Sequence, residues 1–376
     1  MNVKERIRIG LIYGGRSAER EVSYLSARAV ASKLDPERYA VYPIAISPSG
    51  RWMPVPPREE LPHPEHLERR LLGGTSGETL PVPSPQCPTD GQERPPLDML
   101  FPLVHGACGE DGSMQGFFDV CELPYVGAGV AGSAIGMDKL LMKDILSVHG
   151  IPVGPYMPIR RVDWQTDSDS VVCDVQRRFP YPVFVKPART GSSVGVSKAK
   201  NEKELREALA SAARYDSMLI VEKGMPVREL ECGVIGNWDP QASVVGEVIP
   251  DREFYDYHSK YLSDGTAIRI PADVPENLAE EARDMARRAF LALRCSGYAR
   301  VDLFLNTAEN RLYLNEINTI PGFTSHSMFP MLWEASGVPF SELLDRLVNY
   351  AFERHADEKR NTFEVPEPGV APPPTD

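Results

Sequence analysis

The sequence predicts an α/β (α+β) protein that begins with an open parallel sheet. Residues 7–47 follow the order strand, glycine turn, helix and strand, which is how an open parallel sheet starts. Residues 298–318 contain two runs rich in aromatic and aliphatic side chains around a polar link, which is typical of an antiparallel hairpin. The chain of 376 residues is long enough for about two or three domains, each with its own core.

The composition is that of an ordinary globular protein, with 42% hydrophobic and 25% charged residues. A formal charge of -12 argues against broad contact with a nucleic acid backbone. The six cysteines occur singly, which fits a reducing compartment. There is no signal-peptide core and no apolar run that could span a bilayer. We therefore expect a cytoplasmic protein without nucleic acid or membrane partners.

The first predicted unit covers residues 7–47. Gly14-Gly15 closes its first strand, and we expect Ser17 to cap a helix over residues 21–34. Ligands of open parallel sheets bind at the carboxyl ends of the strands, where Glu19 lies. Taken alone, Glu19 is better explained as a first-turn acid that the helix dipole favours than as a substrate contact.

Residues 51–96 differ in kind from the rest of the chain. They are dense in proline and show little periodicity beyond a short helix candidate at 65–72. We interpret them as a surface insertion that is partly disordered and adds little to the core. His63 and His66 have the spacing of a metal-binding pair, but in a proline-rich loop such a pair is more simply solvent-exposed.

The next predicted strand, residues 97–104, ends at His105. Glycines follow in His105-Gly106-Ala107-Cys108-Gly109-Glu110-Asp111-Gly112, and glycine lets the backbone approach a ligand closely. A histidine at the carboxyl end of a strand, beside glycines and two acids, predicts a site residue.

Residues 127–132 match Gly-x-Gly-x-x-Gly, the dinucleotide fingerprint. That fingerprint needs a good strand before it and an acid about twenty residues later. Pro124 leaves only a short strand before the glycines. The window about twenty residues later is the Gly150-Ile151-Pro152 turn, which contains no acid. We therefore interpret the motif as a hinge turn. Asp138 then caps a helix predicted over residues 139–149.

A short strand over residues 182–187 ends in a lysine, Lys186. Residues 188–196 then form a loop rich in backbone and hydroxyl donors, of the kind that holds phosphates, without the ending of a P-loop. Residues 254–261 form an aromatic, charged stretch that predicts a lid. The other predicted helices cover residues 202–213, 276–293, 328–335 and 340–354. The other predicted strands cover residues 218–222, 228–235 and 243–249.

The hairpin carries a polar face. Side chains alternate along a strand, so Arg300 and Asp302 share one face of the first strand, and Glu316 and Asn318 share one of the second. If the two faces coincide, two carboxylates and an amide oxygen converge beside a guanidinium. Hard oxygen ligands of this kind suit magnesium or manganese. The alternative is a half-exposed sheet with ordinary surface charges.

Five blocks of sequence, taken together, resemble the D-alanine:D-alanine ligase family of ATP-grasp enzymes. The blocks are Gly14-Gly15-x-Ser17-Ala18-Glu19-x-Glu21-Val22-Ser23; His105-Gly106-x-x-Gly109-Glu110-Asp111-Gly112; Met137-Asp138-Lys139; Lys186-Pro187 with Gly191-Ser192-Ser193-x-Gly195; and Arg300-x-Asp302 through Glu316-x-Asn318-Thr319-x-Pro321-Gly322 to Ser327. They span nearly all of the chain except the insertion and the tail. The resemblance implies ATP-dependent ligation of two D-alanines through an acyl phosphate, for peptidoglycan precursor synthesis.

The resemblance also implies a domain organisation. An N-terminal substrate domain, of the type called preATP-grasp, would cover residues 1–127 and include the insertion at 51–96. The two halves of the ATP-grasp fold would cover residues 128–222 and 223–355, with the metal site and the lid in the second half. Residues 356–376 form a proline-rich tail that we expect to be disordered. We also expect a homodimer.

The resemblance implies a site for ATP and two divalent ions, Mg²⁺ or Mn²⁺. The implied nucleotide-binding residues are Lys139, Lys186, Ser193, Glu222, Lys223, Glu229, Phe254 and Lys260. Two of them, Lys139 and Lys186, would hold the phosphates, and Phe254 would lie against the base. The implied ligands of the two ions are the hairpin residues Asp302, Glu316 and Asn318.

For the first D-alanine, the resemblance implies that Glu19 holds the ammonium group and is linked through Ser192 to Tyr261 of the lid. His105 would face the carboxylate of this first D-alanine. These contacts would position the carboxylate that receives the phosphoryl group.

For the second D-alanine, the resemblance implies that Lys260 and Ser327 fix its carboxylate. Arg300 and the Gly322 backbone N–H would stabilise the tetrahedral oxyanion that forms when its amine attacks. Relatives that make D-alanine:D-lactate or D-alanine:D-serine differ chiefly in the lid, which here has the Lys260-Tyr261 pair of the dipeptide makers. The sequence also leaves open a nucleotide-binding relative that has lost turnover and an NAD-dependent oxidoreductase.

Overall fold

The computed structural model describes residues 6–17, 19–55, 61–66, 97–191, 194–249 and 267–362. This part of the chain contains three β-sheets. The described helices are α1 (Arg20–Lys33), α2 (Ser113–Val120), α3 (Val130–Met137), α4 (Lys139–Val148), α5 (Arg161–Thr166), α6 (Ser168–Arg178), α7 (Glu202–Ala212), α8 (Glu276–Ala292), α9 (Met328–Ala335) and α10 (Phe340–Glu358). None of these described helices is long and apolar enough to cross a membrane.

The N-terminal sheet has the order β3-β2-β1-β4. Its strands are β1 (Ile7–Gly14), β2 (Tyr39–Ile46), β3 (Trp52–Pro54) and β4 (Met99–Pro102). Strand β1 pairs in parallel with both β2 and β4, while β3 adds an antiparallel edge. The predicted open parallel sheet is therefore confirmed.

The central sheet is antiparallel, with the order β5-β8-β6-β7. Its strands are β5 (Tyr156–Arg160), β6 (Val183–Pro187), β7 (Ser197–Ala199) and β8 (Met218–Lys223). Its core is a separate cluster in which side chains of α6 and α7, such as Val175 and Leu209, pack against Val185 and Val221 of the sheet.

The third sheet, also antiparallel, has the order β11-β10-β9-β12-β13. Its strands are β9 (Val227–Gly236), β10 (Gln241–Ile249), β11 (Ala267–Arg269), β12 (Gly297–Asn306) and β13 (Arg311–Asn318). Helix α8 buries Ala282, Ala286 and Phe290 against one face of this sheet. The β12–β13 hairpin predicted from the sequence is therefore confirmed.

The largest core joins the N-terminal sheet to the beginning of β12 and to helices α9 and α10. Phe101 from β4 and Tyr298 from β12 both pack against Phe323, at ring-centroid distances of 6.1 and 5.3 Å. Phe329 and Leu347 from the two helices belong to the same core. This shared core holds the polar face of the hairpin opposite the carboxyl ends of the N-terminal strands. The boundaries at 127, 222 and 355 remain a prediction.

The predicted cap of the first helix is wrong. Helix α1 begins at Arg20, so Glu19 is its N-cap residue, without a side-chain capping bond. The Ser17 hydroxyl instead accepts a hydrogen bond from the Glu19 N–H at 3.1 Å. Ser17 thus shapes the turn before the helix. The Asp138 cap of α4 is confirmed, because its carboxylate accepts from the N–H groups of Leu140 and Leu141.

The interpretation of residues 51–96 as adding little to the core is wrong for its described part. Val55 and Leu61 are 1% and 7% exposed and belong to the largest core. His63 Nε2 lies 2.8 Å from Glu21 Oε2 on helix α1, and the His63 ring packs edge-on against Tyr24. Part of the insertion therefore packs on α1, while residues 56–60 and 67–96 lie outside the described residues.

The glycine motif at 127–132 forms a turn only in its first half, and its role as a hinge remains a prediction. Gly127 has φ +107, and helix α3 begins at Val130. A side chain at Gly132 would lie 2.6 Å from the Arg294 carbonyl, so this glycine serves close packing. Before the motif, Tyr125 makes only an isolated parallel bridge, so the expectation of a short preceding strand is confirmed.

Candidate active site

The polar faces of the two hairpin strands coincide, as the alternation predicts. In the register of β12 and β13, Asp302 pairs with Glu316 and Arg300 pairs with Asn318. A bulge follows Asp302, where the register shifts before Leu303. Two carboxylates, an amide and a guanidinium thus share one face of the sheet.

Arg300 ties this face together. Its Nε and Nη2 donate to the two oxygens of Asp302, each at 2.7 Å, and its Nε lies 3.0 Å from Glu231 Oε2. Burial lowers the pKa of Arg300, but the carboxylates of Asp302 and Glu231 outweigh it and hold that pKa well above the ordinary value. The guanidinium therefore stays charged.

The opposite wall comes from the turns after β1 and β4. The Glu19 carboxylate lies against two glycines, because a side chain at Gly106 or Gly191 would come within 3.2 Å of Glu19 Oε2. Gly106 also has φ +79, and its N–H donates to Glu110 Oε2 at 2.5 Å. These glycines let the backbone of the loops after β4 and β6 approach Glu19.

His105 is 3% exposed, and a hydrogen bond from its imidazole ring to the backbone holds the side chain in place. Its Nδ1 lies 2.8 Å from the Ile320 carbonyl oxygen, which can only accept, so Nδ1 carries a proton. Nε2 is buried and has no protein partner among the described residues. Burial lowers the pKa of His105, partly offset by the charge of Glu19, and burial raises the pKa of Glu110. His105 is therefore neutral at neutral pH, and Glu110 holds a proton more readily than an ordinary carboxyl group.

Between these walls lies a cavity of about 460 Å³. It brings together most of the residues implied for the two D-alanines, namely Glu19, His105, Arg300, Gly322 and Ser327, with Glu316 and Asn318 of the hairpin. The Ser327 hydroxyl accepts from the Thr324 N–H at 3.0 Å and lies 2.8 Å from the Thr324 hydroxyl. A Cβ at Gly322 would lie 2.8 Å from Ser327 Oγ, so a side chain there would displace the hydroxyl.

A second cavity of about 640 Å³ lies between the central and the third sheet. Its lining includes the described residues implied for the nucleotide: Lys139, Lys186, Glu222, Lys223 and Glu229. The two cavities adjoin, because Lys139, Thr190, Gly191 and Glu316 line both. Lys139 Nζ donates to the Thr190 carbonyl at 2.8 Å and lies 3.8 Å from Glu316 Oε2. Lys139 thus stands where the cavities meet.

The structure adds site residues that the sequence analysis did not single out. Lys143 lies 2.9 Å from Glu222, Glu231 lies 3.0 Å from Arg300, and Thr190 holds Lys139. For Lys143 a signal existed, because it follows Lys139 by one helical turn and so shares its face of the predicted helix. Glu231 likewise follows Glu229 by two residues on a predicted strand and so shares its face, and Thr190 lies in the loop predicted to hold phosphates.

Five predicted site residues lie outside the described residues, namely Ser192, Ser193, Phe254, Lys260 and Tyr261. Within the described ranges, no group of three or more His, Cys, Asp or Glu residues could hold a metal ion. The hairpin face offers a different donor set, two carboxylates and the amide of Asn318. Hard oxygen donors of this kind fit Mg²⁺ or Mn²⁺.

Two antiparallel sheets on either side of a lysine-lined cavity, beside a strand face of carboxylates, define an ATP-grasp enzyme. Two family profiles match the chain, "D-ala D-ala ligase N-terminus" at residues 8–128 and "D-ala D-ala ligase C-terminus" at residues 145–349. The chain belongs to the D-alanine–D-alanine ligase family.

Individual relatives agree with this membership. The D-alanine–D-alanine ligase of Geobacillus thermodenitrificans is 42% identical, with 95% of this chain and 99% of the relative covered. That of Solibacter usitatus is 44% identical, with 95% and 99% covered. The solved D-alanine–D-alanine ligase of Coxiella burnetii superposes with a TM-score of 0.81 at 35% identity, covering 95% and 97% of the two chains. The VanG D-Ala:D-Ser ligase of Enterococcus faecalis gives 0.79 at 32% identity, with 92% and 100% covered.

Proposed function

We propose that this enzyme joins two molecules of D-alanine to D-alanyl-D-alanine, with conversion of ATP to ADP and phosphate. The dipeptide then serves peptidoglycan precursor synthesis. The observation that carries the proposal is the meeting of the two cavities at Lys139 and Glu316. A nucleotide in the larger cavity would point its phosphates toward a carboxylic substrate in the smaller one.

The larger cavity suits the nucleotide. Lys139 and Lys186 offer ammonium groups to the phosphates, and the Gly191 backbone lies beside them. Lys223 and Glu229 line the remaining part of this cavity, where we place the adenine and the ribose. Contacts from Ser193, Phe254 and Lys260 remain predictions.

The hairpin face would hold two Mg²⁺ or Mn²⁺ ions through Asp302, Glu316 and Asn318. Bound there, the ions would neutralise charge on the transferring phosphoryl group. Arg300 supports this role, because it fixes the Asp302 carboxylate through both oxygens. Lys139 adds a fixed positive charge next to Glu316.

The first step makes the carboxylate of D-alanine reactive. An oxygen of that carboxylate takes the γ-phosphoryl group, the bond to the β-phosphate oxygen breaks, and ADP leaves. Glu19 would hold the ammonium group of this first D-alanine. The charged groups at the junction of the cavities position the reactants, which is where most catalysis of phosphoryl transfer comes from.

In the second step, the amine of the second D-alanine, having lost a proton, attacks the acyl phosphate carbonyl. The tetrahedral oxyanion would face Arg300 and the Gly322 N–H, a contact typically worth about 3 kcal/mol per donor. Phosphate then leaves, the nitrogen gives up its second proton to the departing phosphate, and the peptide bond is complete. Ser327 would fix the carboxylate of the second D-alanine.

His105 meets its implied partner only under one condition. Its Nδ1 proton already points at the Ile320 carbonyl, so a neutral ring offers Nε2 as an acceptor. Facing the carboxylate of the first D-alanine requires a second ring proton at Nε2. The charge of Glu19 favours this proton and burial opposes it. We propose that the ring gains it when the substrate carboxylate arrives.

The test is the release of ADP from ATP with and without D-alanine, followed by product analysis. D-serine and D-lactate are offered as second substrates in parallel, since a similar solved structure is a D-Ala:D-Ser ligase. We expect D-alanyl-D-alanine as the main product. A main product with D-serine or D-lactate would contradict the proposed specificity, and no ADP release would indicate a relative that has lost turnover.

We further propose that the enzyme is a homodimer in the cytoplasm. The five cysteines in the described part of the chain are free thiols, which supports a reducing compartment. Light scattering of the purified protein measures the assembly state, and a mass of one chain at all concentrations would contradict the dimer.

A further inference from the structure

Of Lys139, Lys143 and Lys186, which line the larger cavity (the nucleotide cavity), Lys143 is the most deeply buried. It lies on helix α4, one turn after Lys139, and its side chain is 2% exposed. Its ammonium group lies 2.9 Å from Glu222 Oε1. The other oxygen, Glu222 Oε2, lies 2.6 Å from Lys186 Nζ. One carboxylate is thus shared between two lysines.

The charges of this buried triad do not cancel. Burial raises the pKa of Glu222, but Lys143 and Lys186 outweigh it and hold that pKa well below the ordinary value. Burial lowers the pKa of Lys186, while Glu222 raises it by more. Two ammonium groups and one carboxylate therefore give a net charge of about +1. Without Lys143, Glu222 and Lys186 would form a neutral pair.

We propose that Lys143 is a positioning residue of the nucleotide site: it shares the charge of Glu222, so that Lys186 keeps a net positive charge toward the phosphates. The inference rests on the proposed function, because it needs an anionic nucleotide near Lys186. It predicts a role in the affinity for charged nucleotides, and no direct contact with the reacting atoms.

The triad allows the charge to be removed and restored. Lys143→Met keeps the length of the side chain and brings the net charge from about +1 to about 0. Adding Glu222→Gln returns the net charge to about +1, now carried by Lys186 alone, whose pKa the charges of Glu316 and Glu229 still raise. Lys143→Arg keeps the positive charge throughout. Lys203→Met is the matched surface control, because its side chain is 86% exposed on α7.

Binding of ATP and of adenosine is measured by titration calorimetry for each variant, after circular dichroism has confirmed folding. A unit charge acting over about 10 Å at an effective dielectric constant of about 20 corresponds to about a tenfold change in affinity. We expect Lys143→Met to weaken ATP about tenfold and adenosine hardly at all. The ratio of the two affinities should recover in the double variant and in Lys143→Arg, and it should not change in Lys203→Met.

A purely structural lysine would give another pattern. If folded Lys143→Met loses ATP and adenosine affinity equally, or if the double variant keeps the reduced ratio, the charge-sharing role is wrong. Normal ATP binding by Lys143→Met would also overturn it. Failure of the proposed function is seen separately, as absence of ATP binding and ADP release in the unmodified enzyme.

Discussion

Gly322→Ala tests whether the loop after β13 is shaped for the second D-alanine. The added methyl group would lie 2.8 Å from Ser327 Oγ and 3.5 Å from Ser327 Cβ, so the clash is with the hydroxyl alone. The backbone at Gly322 needs no left-handed conformation, and the clash is the only cost we expect.

The hydroxyl must move to relieve the clash, and it then loses its two contacts with Thr324, at 3.0 and 2.8 Å. At about 1 kcal/mol for each hydrogen bond, the cost is about 1 to 2 kcal/mol. If Ser327 holds the carboxylate of the second D-alanine, KM for that substrate should rise about tenfold. KM for ATP should stay unchanged, since the nucleotide cavity lies on the other side of Lys139.

The assay is a double-mutant cycle with Ser327→Ala, which removes the atom that clashes. Gly322→Ala should cost much less in the Ser327→Ala background than in the unmodified enzyme, both in the free energy of unfolding and in KM for the second D-alanine. Equal costs in the two backgrounds would refute the reasoning, because the effect would then not pass through the hydroxyl.

Three further predictions follow from the site. Glu316→Gln should abolish nearly all turnover, because a metal ligand loses its charge. The fold should be kept, because the side chain is 30% exposed. Near-normal activity at ordinary magnesium concentration would contradict the metal role. Replacing residues 67–96 with a Gly/Ser linker should leave turnover intact. A replacement that also removes Val55 and Leu61 should lower the melting temperature, because both side chains belong to the largest core. If the first variant folds but is inactive, the insertion belongs to the site. With D-alanine and D-lactate in equal supply, D-alanyl-D-alanine should be the main product. Its formation should rise from mildly acidic to mildly alkaline pH, because the attacking amine must lose a proton. D-alanyl-D-lactate as the main product at both pH values would refute the interpretation of the Lys260-Tyr261 pair.

The hairpin site could be predicted because strand alternation is a local rule. Asp302 and Glu316 follow that rule on their own strands, and the pairing of two neighbouring strands then brings them together. The capped helix α4 was equally accessible, because Asp138 and the apolar spacing after it are sequence signals.

Other parts depend on contacts between distant residues. Strand β5 is short and contains Pro158, so neither length nor alternation marks it, and the antiparallel partner β8 defines it. Val55 and Leu61 lie in a stretch whose composition suggests disorder, yet they are buried because α1 and the N-terminal sheet offer an apolar surface. The Glu231 contact of Arg300 needs β9 to lie beside β12, which no local pattern shows.

Burial and ion pairing together divide the site into two walls of different charge. On the wall after β4, burial lowers the pKa of His105 and raises that of Glu110, so both shifts favour the neutral forms and the carboxylate of Glu19 is the main charge that a first substrate would meet there. On the hairpin and nucleotide side, ion pairs keep Arg300 and Lys186 positively charged despite burial. An amino acid between the walls would direct its ammonium group to Glu19, and its carboxylate would face the positive wall as well as His105, once that ring has gained its second proton. In that orientation the carboxylate could receive a phosphoryl group, so the charge distribution itself would select the reactive end of the first D-alanine.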